Sequence, residues 1–167
     1  AEGVQGHTQT IWKLVKRYHI PTFLFVNKMD QEGTDGEKLL KELRRRFGEN
    51  VVPFVDIITE SDRPGGKVFL HAKEGAVEDV LEELAVCEDD MMEEYLEEGR
   101  ISLDEVQKAV ADRQVFPCYF GSALHAQGVE ELLDGLDRYM KDKTYPAEFG
   151  AKVYKIARDN QGNRLTY

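Results

Sequence analysis

The sequence predicts an α/β fold with a parallel sheet covered on both faces. Two segments, Thr22-Phe23-Leu24-Phe25-Val26 and Val115-Phe116-Pro117-Cys118-Tyr119-Phe120, are apolar at odd and even positions alike, as strands are when helices bury both of their sides. Around them apolar residues recur at helical spacing. Each strand also runs straight into a polar turn, Asn27-Lys28-Met29-Asp30 and Gly121-Ser122-Ala123. In open α/β sheets, ligands sit beyond the carboxyl ends of the strands.

The elements follow in order. Ile11, Leu14, Val15 and Tyr18 fall on one helical face, and Pro21 predicts that this helix stops before it. The strand 22–26 comes next. Asp35 can cap a second helix with Leu39, Leu40, Leu43 and Phe47 inward, and Gly48 can end it. Val51 to Val55 reads as a weaker strand that Pro53 confines to a sheet edge. Ser61 to Lys67, with Pro64-Gly65-Gly66, reads as a polar turn. Val77, Val80, Leu81 and Leu84 mark a third helix, and Glu88 to Glu98 a fourth. Ser102 with Glu105 predicts a capping box at the start of a fifth, which carries Val106, Ala109 and Val110 inward. After the strand 115–120, Val129, Leu132, Leu133, Leu136 and Met140 predict an amphipathic helix. Tyr145-Pro146 reads as a linker. Residues 151–156 and 165–167 read as a β-hairpin about the polar turn 159–163.

Composition removes several function classes. The longest apolar runs are far short of the roughly 18 residues of a membrane helix, so no membrane partner is expected. Cys87 and Cys118 are too far apart for a redox pair or metal half-site, which predicts a reducing cytoplasm. The net charge is −10, and general nucleic-acid binding needs the opposite sign. Of the 32 acidic residues, 15 fall between 51 and 100 against 4 basic ones. This local block reads as a solvated helix face or as an acidic docking surface for a basic partner. No His, Asp or Glu cluster has metal-ligand spacing, and no Ser or Cys has a His partner by sequence, so neither a metal site nor a catalytic residue is expected. His7, His19, His71 and His125 read as surface or packing residues.

The two polar turns carry the chemistry. The Asp30 carboxylate presents two acceptors side by side, which suit the parallel N1–H and N2–H donors of guanine; adenine lacks that pair. Each charge-assisted hydrogen bond is worth roughly 1.5–3 kcal/mol, enough to select among purines. Lys28 can lay its aliphatic stem along a base while its ammonium stays in water. Asn27 can tie the strand end to a neighbouring loop or to N7. In the second turn the Ala123 N–H is expected to meet guanine O6, Gly121 allows close approach, and Ser122 can brace the loop.

Ala1-Glu-Gly-Val-Gln-Gly-His-Thr-Gln-Thr10 with Ile20-Pro-Thr-Phe-Leu-Phe-Val-Asn-Lys-Met-Asp30 resembles the translational GTPases of the elongation factor G type. Tyr119-Phe-Gly-Ser-Ala-Leu124, followed by Gly128-Val-Glu-Glu-Leu-Leu133, is similar to their second base-reading turn and its helix. Asp89-Asp-Met-Met-Glu-Glu-Tyr95 most resembles the ribosomal protection proteins of tetracycline resistance, and 149–167 the opening hairpin of the family's second, β-barrel domain. The resemblance implies a partial P-loop NTPase-type three-layer α/β/α G domain over 1–145. A helical acidic insertion would lie within 31–115, and 146–167 would form the linker and first hairpin of the next domain. It implies GTP or GDP as ligand, with Asn27, Lys28, Met29, Asp30, Gly121, Ser122, Ala123 and Leu124 at the nucleotide, and the ribosome as partner of the intact parent.

The phosphate-binding run Gly-x-x-x-x-Gly-Lys-Ser/Thr is not present in this sequence, and the family's Asp-x-x-Gly turn is not found ahead of Ala1-Glu-Gly-Val-Gln5. Phosphoryl transfer depends on positioning around phosphates and magnesium. The parent is therefore read as a GTPase and Mg²⁺ as belonging to it, while this chain alone is expected to bind guanine nucleotides weakly and to hydrolyse none. The family's central strands are also missing, so Phe23 and Phe25 are expected to expose one side of an unpaired strand. That predicts self-association or a compensating rearrangement. The competing reading is a non-enzymatic module that docks a basic ribosomal partner through the acidic helices at 75–98.

Overall fold

The computed structural model describes residues 3–55, 57–61, 63–73, 80–141 and 145–167. Helix α1 (Gly6–Arg17) leads to β1 (Leu24–Val26), α2 (Gly36–Phe47) and β2 (Val51–Pro53). A hairpin of β3 (Ile57–Ser61) and β4 (Val68–Ala72) follows. Then come α3 (Val80–Ala85), α4 (Asp89–Glu98), β5 (Ile101–Ser102), α5 (Leu103–Ala111), β6 (Phe116–Phe120), α6 (Val129–Tyr139), β7 (Ile156–Arg158) and β8 (Arg164–Thr166). Val77, placed by the sequence in the third helix, lies outside the described residues.

The first sheet is parallel, in the order β1-β6-β2. Its two faces carry separate cores, so the three-layer arrangement is observed. On one face Leu24, Val26, Val51, Phe116 and Cys118 meet Trp12 of α1 and Leu40, Leu43 and Phe47 of α2. On the other, Phe23, Phe25, Val52 and Tyr119 meet Leu84, Val106, Ala109, Val110, Leu132 and Tyr139; contrary to the sequence expectation, Phe23 and Phe25 are half-buried and β1 is paired with β6 along one edge.

Two prolines sit in this sheet without costing it a ladder bond. Phe54 N–H donates to Cys118 O at 3.0 Å, so the alternate residue Pro53 turns its nitrogen away from β6, as an edge strand permits. Phe116 N–H donates to Asn50 O and Gly121 N–H to Val26 O; Pro117 therefore faces the β1 side. Leu24 pairs with Cys118, so Pro117 lies ahead of the first residue of β1.

Four further sequence expectations need correction. The insertion is not purely helical: β3, β4 and β5 form an antiparallel sheet, with the predicted turn at Pro64-Gly65-Gly66 joining its hairpin. Ser102 is the N-cap of α5 but makes no side-chain cap bond. Its N–H donates instead to Glu94 Oε2 at 2.7 Å, and Glu105 reaches Lys108, so the capping box does not form. Leu133 on α6 and Met140 just past its end are exposed, and Gly135 and Tyr139 are the helix's buried residues. The face is rotated because a Cβ at Gly135 would lie 1.9 Å from Tyr119 Oη: the tyrosine occupies the space a larger residue would fill. Finally, α1 forms as expected but Ile11, Leu14 and Tyr18 are exposed. Trp12, stacked on Phe47 at 4.4 Å and edge-on to Phe116 at 4.7 Å, anchors the helix instead.

β7 and β8 pair as the predicted hairpin, Ile156 opposite Thr166. Asp159 Oδ1 accepts the N–H groups of Gln161 and Asn163 and closes the turn. No barrel is closed by the described strands.

Candidate nucleotide-base site

Adjacent parallel strands end at the same level, and that places the two polar turns side by side. Val26 pairs with Phe120. Past them the ladder continues irregularly: Gly121 N–H donates to Val26 O and Met29 N–H to Gly121 O, each at 3.0 Å. Gly121 is required by this crossing, since a Cβ there would fall 2.0 Å from Gln127 O and 2.9 Å from Phe25 Cζ.

Asn27 joins the turns. Its Oδ1 accepts from its neighbour Lys28 N–H at 2.8 Å and, across the sheet, from Ala123 N–H at 2.9 Å. The first bond accompanies a left-handed backbone at Lys28, with φ of 64°, a conformation uncommon outside glycine. The second differs from the sequence expectation. The Ala123 N–H assigned to guanine O6 is held by Asn27 in this structure, so an O6 contact must share or replace that bond.

Ser122 is buried. Its backbone makes a reciprocal pair with Gln127, both bonds at 3.0 Å, which closes a tight loop around the 3₁₀ turn Ala123–His125. The Ser122 hydroxyl bonded to Asp30 holds that carboxyl below its ordinary 3.8, with help from the Asp30 backbone amide and the nearby His125. Asp30 is thus an ionised acceptor at neutral pH. Lys28 and the Leu124 side chain are exposed, and Met29 is half-buried. The structure therefore brings together all eight residues the sequence singled out. It also adds two. Gln127 closes the second turn, and His125, read as a surface or packing residue, is exposed but places Nε2 at 3.6 Å from Asp30 Oδ2. The two are far apart in the chain, and no sequence signal announces the pair.

A cavity of about 360 Å³ borders the site through Asn27 and Lys28 and runs beneath β1 toward Val4, Leu39 and Phe47. None of residues 121–124 lines it. The two polar turns therefore stand at an open surface beside this cavity.

Elsewhere, Glu88, Asp90 and Glu105 bring carboxylate oxygens within 4.8 Å of one another. Glu88 is already spent capping α4 through the Asp90 and Met91 N–H groups, and Lys108 bonds both Asp90 and Glu105. Other members of the acidic block are likewise paired within the chain: Glu83 with Arg44 at 2.7 Å and Glu94 with Lys67 at 2.6 Å. No helix of the described residues is long and apolar enough to cross a membrane.

Layered architecture, parallel strand order and paired polar turns define an α/β domain with its polar turns gathered at the strand ends. The sequence matches the family described as the elongation factor Tu GTP-binding domain over residues 1–142, and the chain belongs to that family. Among solved structures it is similar to a protein of Thermus thermophilus, with a TM-score of 0.60 and 22% identity over 84% of this chain. The chain spans 25% of that protein's length.

Proposed function

We propose that this chain is the base-recognising part of a ribosome-associated translational GTPase, and that Asn27, Lys28, Met29 and Asp30 with Gly121, Ser122, Ala123 and Leu124 hold the guanine of GTP or GDP. The observation that carries the reading is the Asn27 bridge: it sets an ionised Asp30 beside the Ser122–Ala123 turn, so one planar base can touch both. Asp30 takes the N1–H and N2–H donors, the second turn supplies an N–H to O6, and the Lys28 stem covers a base face. The side chains of this site include one carboxylate, Asp30, and that group is committed to Ser122 and the base. They offer no ligand set for Mg²⁺, which belongs with the phosphate-binding part of a parent protein. The chain by itself hydrolyses no GTP.

Residues 1–145 are assigned to the GTP-binding domain and 146–167 to the linker and opening hairpin of a second domain. Asp89 to Tyr95 supports a parent of the ribosomal-protection type, active in tetracycline resistance; tetracycline tolerance conferred by the parent gene is the measurement that checks it. Free Cys87 and Cys118 accord with a cytoplasmic setting.

The test is NMR titration of the chain with GDP and ADP at millimolar concentration. Shifts confined to the two turns, produced by GDP and weakened at least tenfold in Asp30→Asn, are expected, because one charge-assisted bond of about 1.5–3 kcal/mol is lost. Equal responses to ADP and GDP overturn the reading. The acidic-module alternative predicts salt-sensitive binding of basic ribosomal proteins instead; the internal pairing of Glu83, Asp90 and Glu94 leaves it less free charge than the sequence implies.

A further inference from the structure

The exposed imidazole of His125 has no part in the base-reading scheme, yet it stands against the one carboxylate that scheme depends on. Its position is built rather than incidental. His125 N–H donates to Ser122 O at 3.1 Å, the Ser122–Gln127 pair closes the loop behind it, and Ala126 follows with a left-handed φ of 54°. These bonds fix the backbone, and the ring stands at the mouth of the turn with Nε2 3.6 Å from Asp30 Oδ2.

We propose that His125 is a positioning residue that competes with the guanine base for Asp30 and sets its affinity according to whether the imidazole is charged. The proposal rests on the guanine reading above. A base must occupy both carboxylate oxygens to satisfy N1–H and N2–H. An imidazolium beside Oδ2 draws that oxygen toward itself, and a neutral imidazole releases it. Among the described residues, the turn after β1 carries Lys28, Asp30 and Glu32, and the first turn of α6 carries Glu130 and Glu131; the imidazole Nε2 approaches Asp30 Oδ2. Imidazoles as a class change charge between about pH 5 and 8. Asp30, held below its ordinary value, stays ionised across that interval, so it adds no titration of its own.

The test compares GDP affinity between pH 8 and pH 5.5 for wild type, His125→Gln and His125→Lys. Phosphate titration of the nucleotide is common to all three and cancels in the ratio. Wild type is expected to lose about threefold more affinity on acidification than His125→Gln, the size of an exposed ion pair. His125→Lys is expected to bind more weakly than His125→Gln at both pH values. Parallel profiles for wild type and His125→Gln overturn the inference while leaving the guanine reading intact. A nucleotide-free measurement separates the two further: imidazole NMR resonances at pH 5.5 should differ between wild type and Asp30→Asn. Identical ring resonances overturn the contact even where no nucleotide binds.

Discussion

Asn27 shows how much one side-chain oxygen can organise. Its Oδ1 is the shared acceptor for Lys28 and Ala123 N–H, so the two turns keep their spacing without a ligand. Asn27→Ala should leave the fold intact, since the site is exposed, yet lower GDP affinity about tenfold, measurable by the NMR titration. Replacing Asp30 with an amide predicts more than loss. An Asn there presents one donor and one acceptor, the complement of xanthine, so Asp30→Asn should prefer xanthosine diphosphate over GDP. Gly121→Ala forces a Cβ to within 2.0 Å of Gln127 O and should destabilise the chain by about 1–3 kcal/mol in urea unfolding, with GDP binding lost in parallel. At this scale the sequence is most legible where chemistry is local. Asn-Lys-x-Asp and Gly-Ser-Ala announce themselves because residue type and strand-end position coincide. The His125–Asp30 approach is not legible, because only the register of β1 against β6 creates it.

The strands and helices divide by how loudly their apolar residues speak. β1, β6, α2 and α4 can be read from the sequence because they carry continuous or periodic apolar runs. The hairpin β3-β4 escapes that reading although its cue is present: Ile57-Ile58-Thr59 and Val68-Phe69-Leu70 flank a Pro-Gly-Gly turn. His71, Glu60 and Ser61 dilute that signal. The inner face of α6 is hidden for another reason: Gly135 has no side chain and no hydropathy, so its burial under Tyr119 is invisible in a pattern of leucines. Gly135→Ala is expected to destabilise by about 2 kcal/mol despite the better helix propensity of alanine, read by thermal unfolding. Trp12 holds α1 to the sheet through Phe47 and Phe116. The Arg113 guanidinium lies 5.3 Å from its ring and bonds Thr22 Oγ1 at 2.6 Å. Trp12→Ala should cost about 3 kcal/mol and release α1, seen as lost helical circular dichroism.

Taken as one molecule, the chain leaves an unfinished boundary. β1 is a terminal strand of its sheet, and Ile11, Leu14, Tyr18 and Ile20 are exposed on the same N-terminal segment. Apolar surface beside an open strand edge promotes association. Size-exclusion chromatography with light scattering should therefore find species larger than the monomer, shifted toward monomer in an Ile11→Lys, Leu14→Lys double variant. A clean monomer at high concentration contradicts this. The three-layer architecture is legible because both strand faces are apolar. The exposure of α1 is not legible, since its periodicity reads as a core-facing helix.

The Ala123 amide carries one more consequence. It is exposed at the surface of the molecule but spends its proton on Asn27, and so becomes a clock: its deuterium uptake measures how often the joint between the two loops springs open. A nucleotide that displaces Asn27 should change the rate of that single amide before any other, giving a residue-level signal of occupancy without a label.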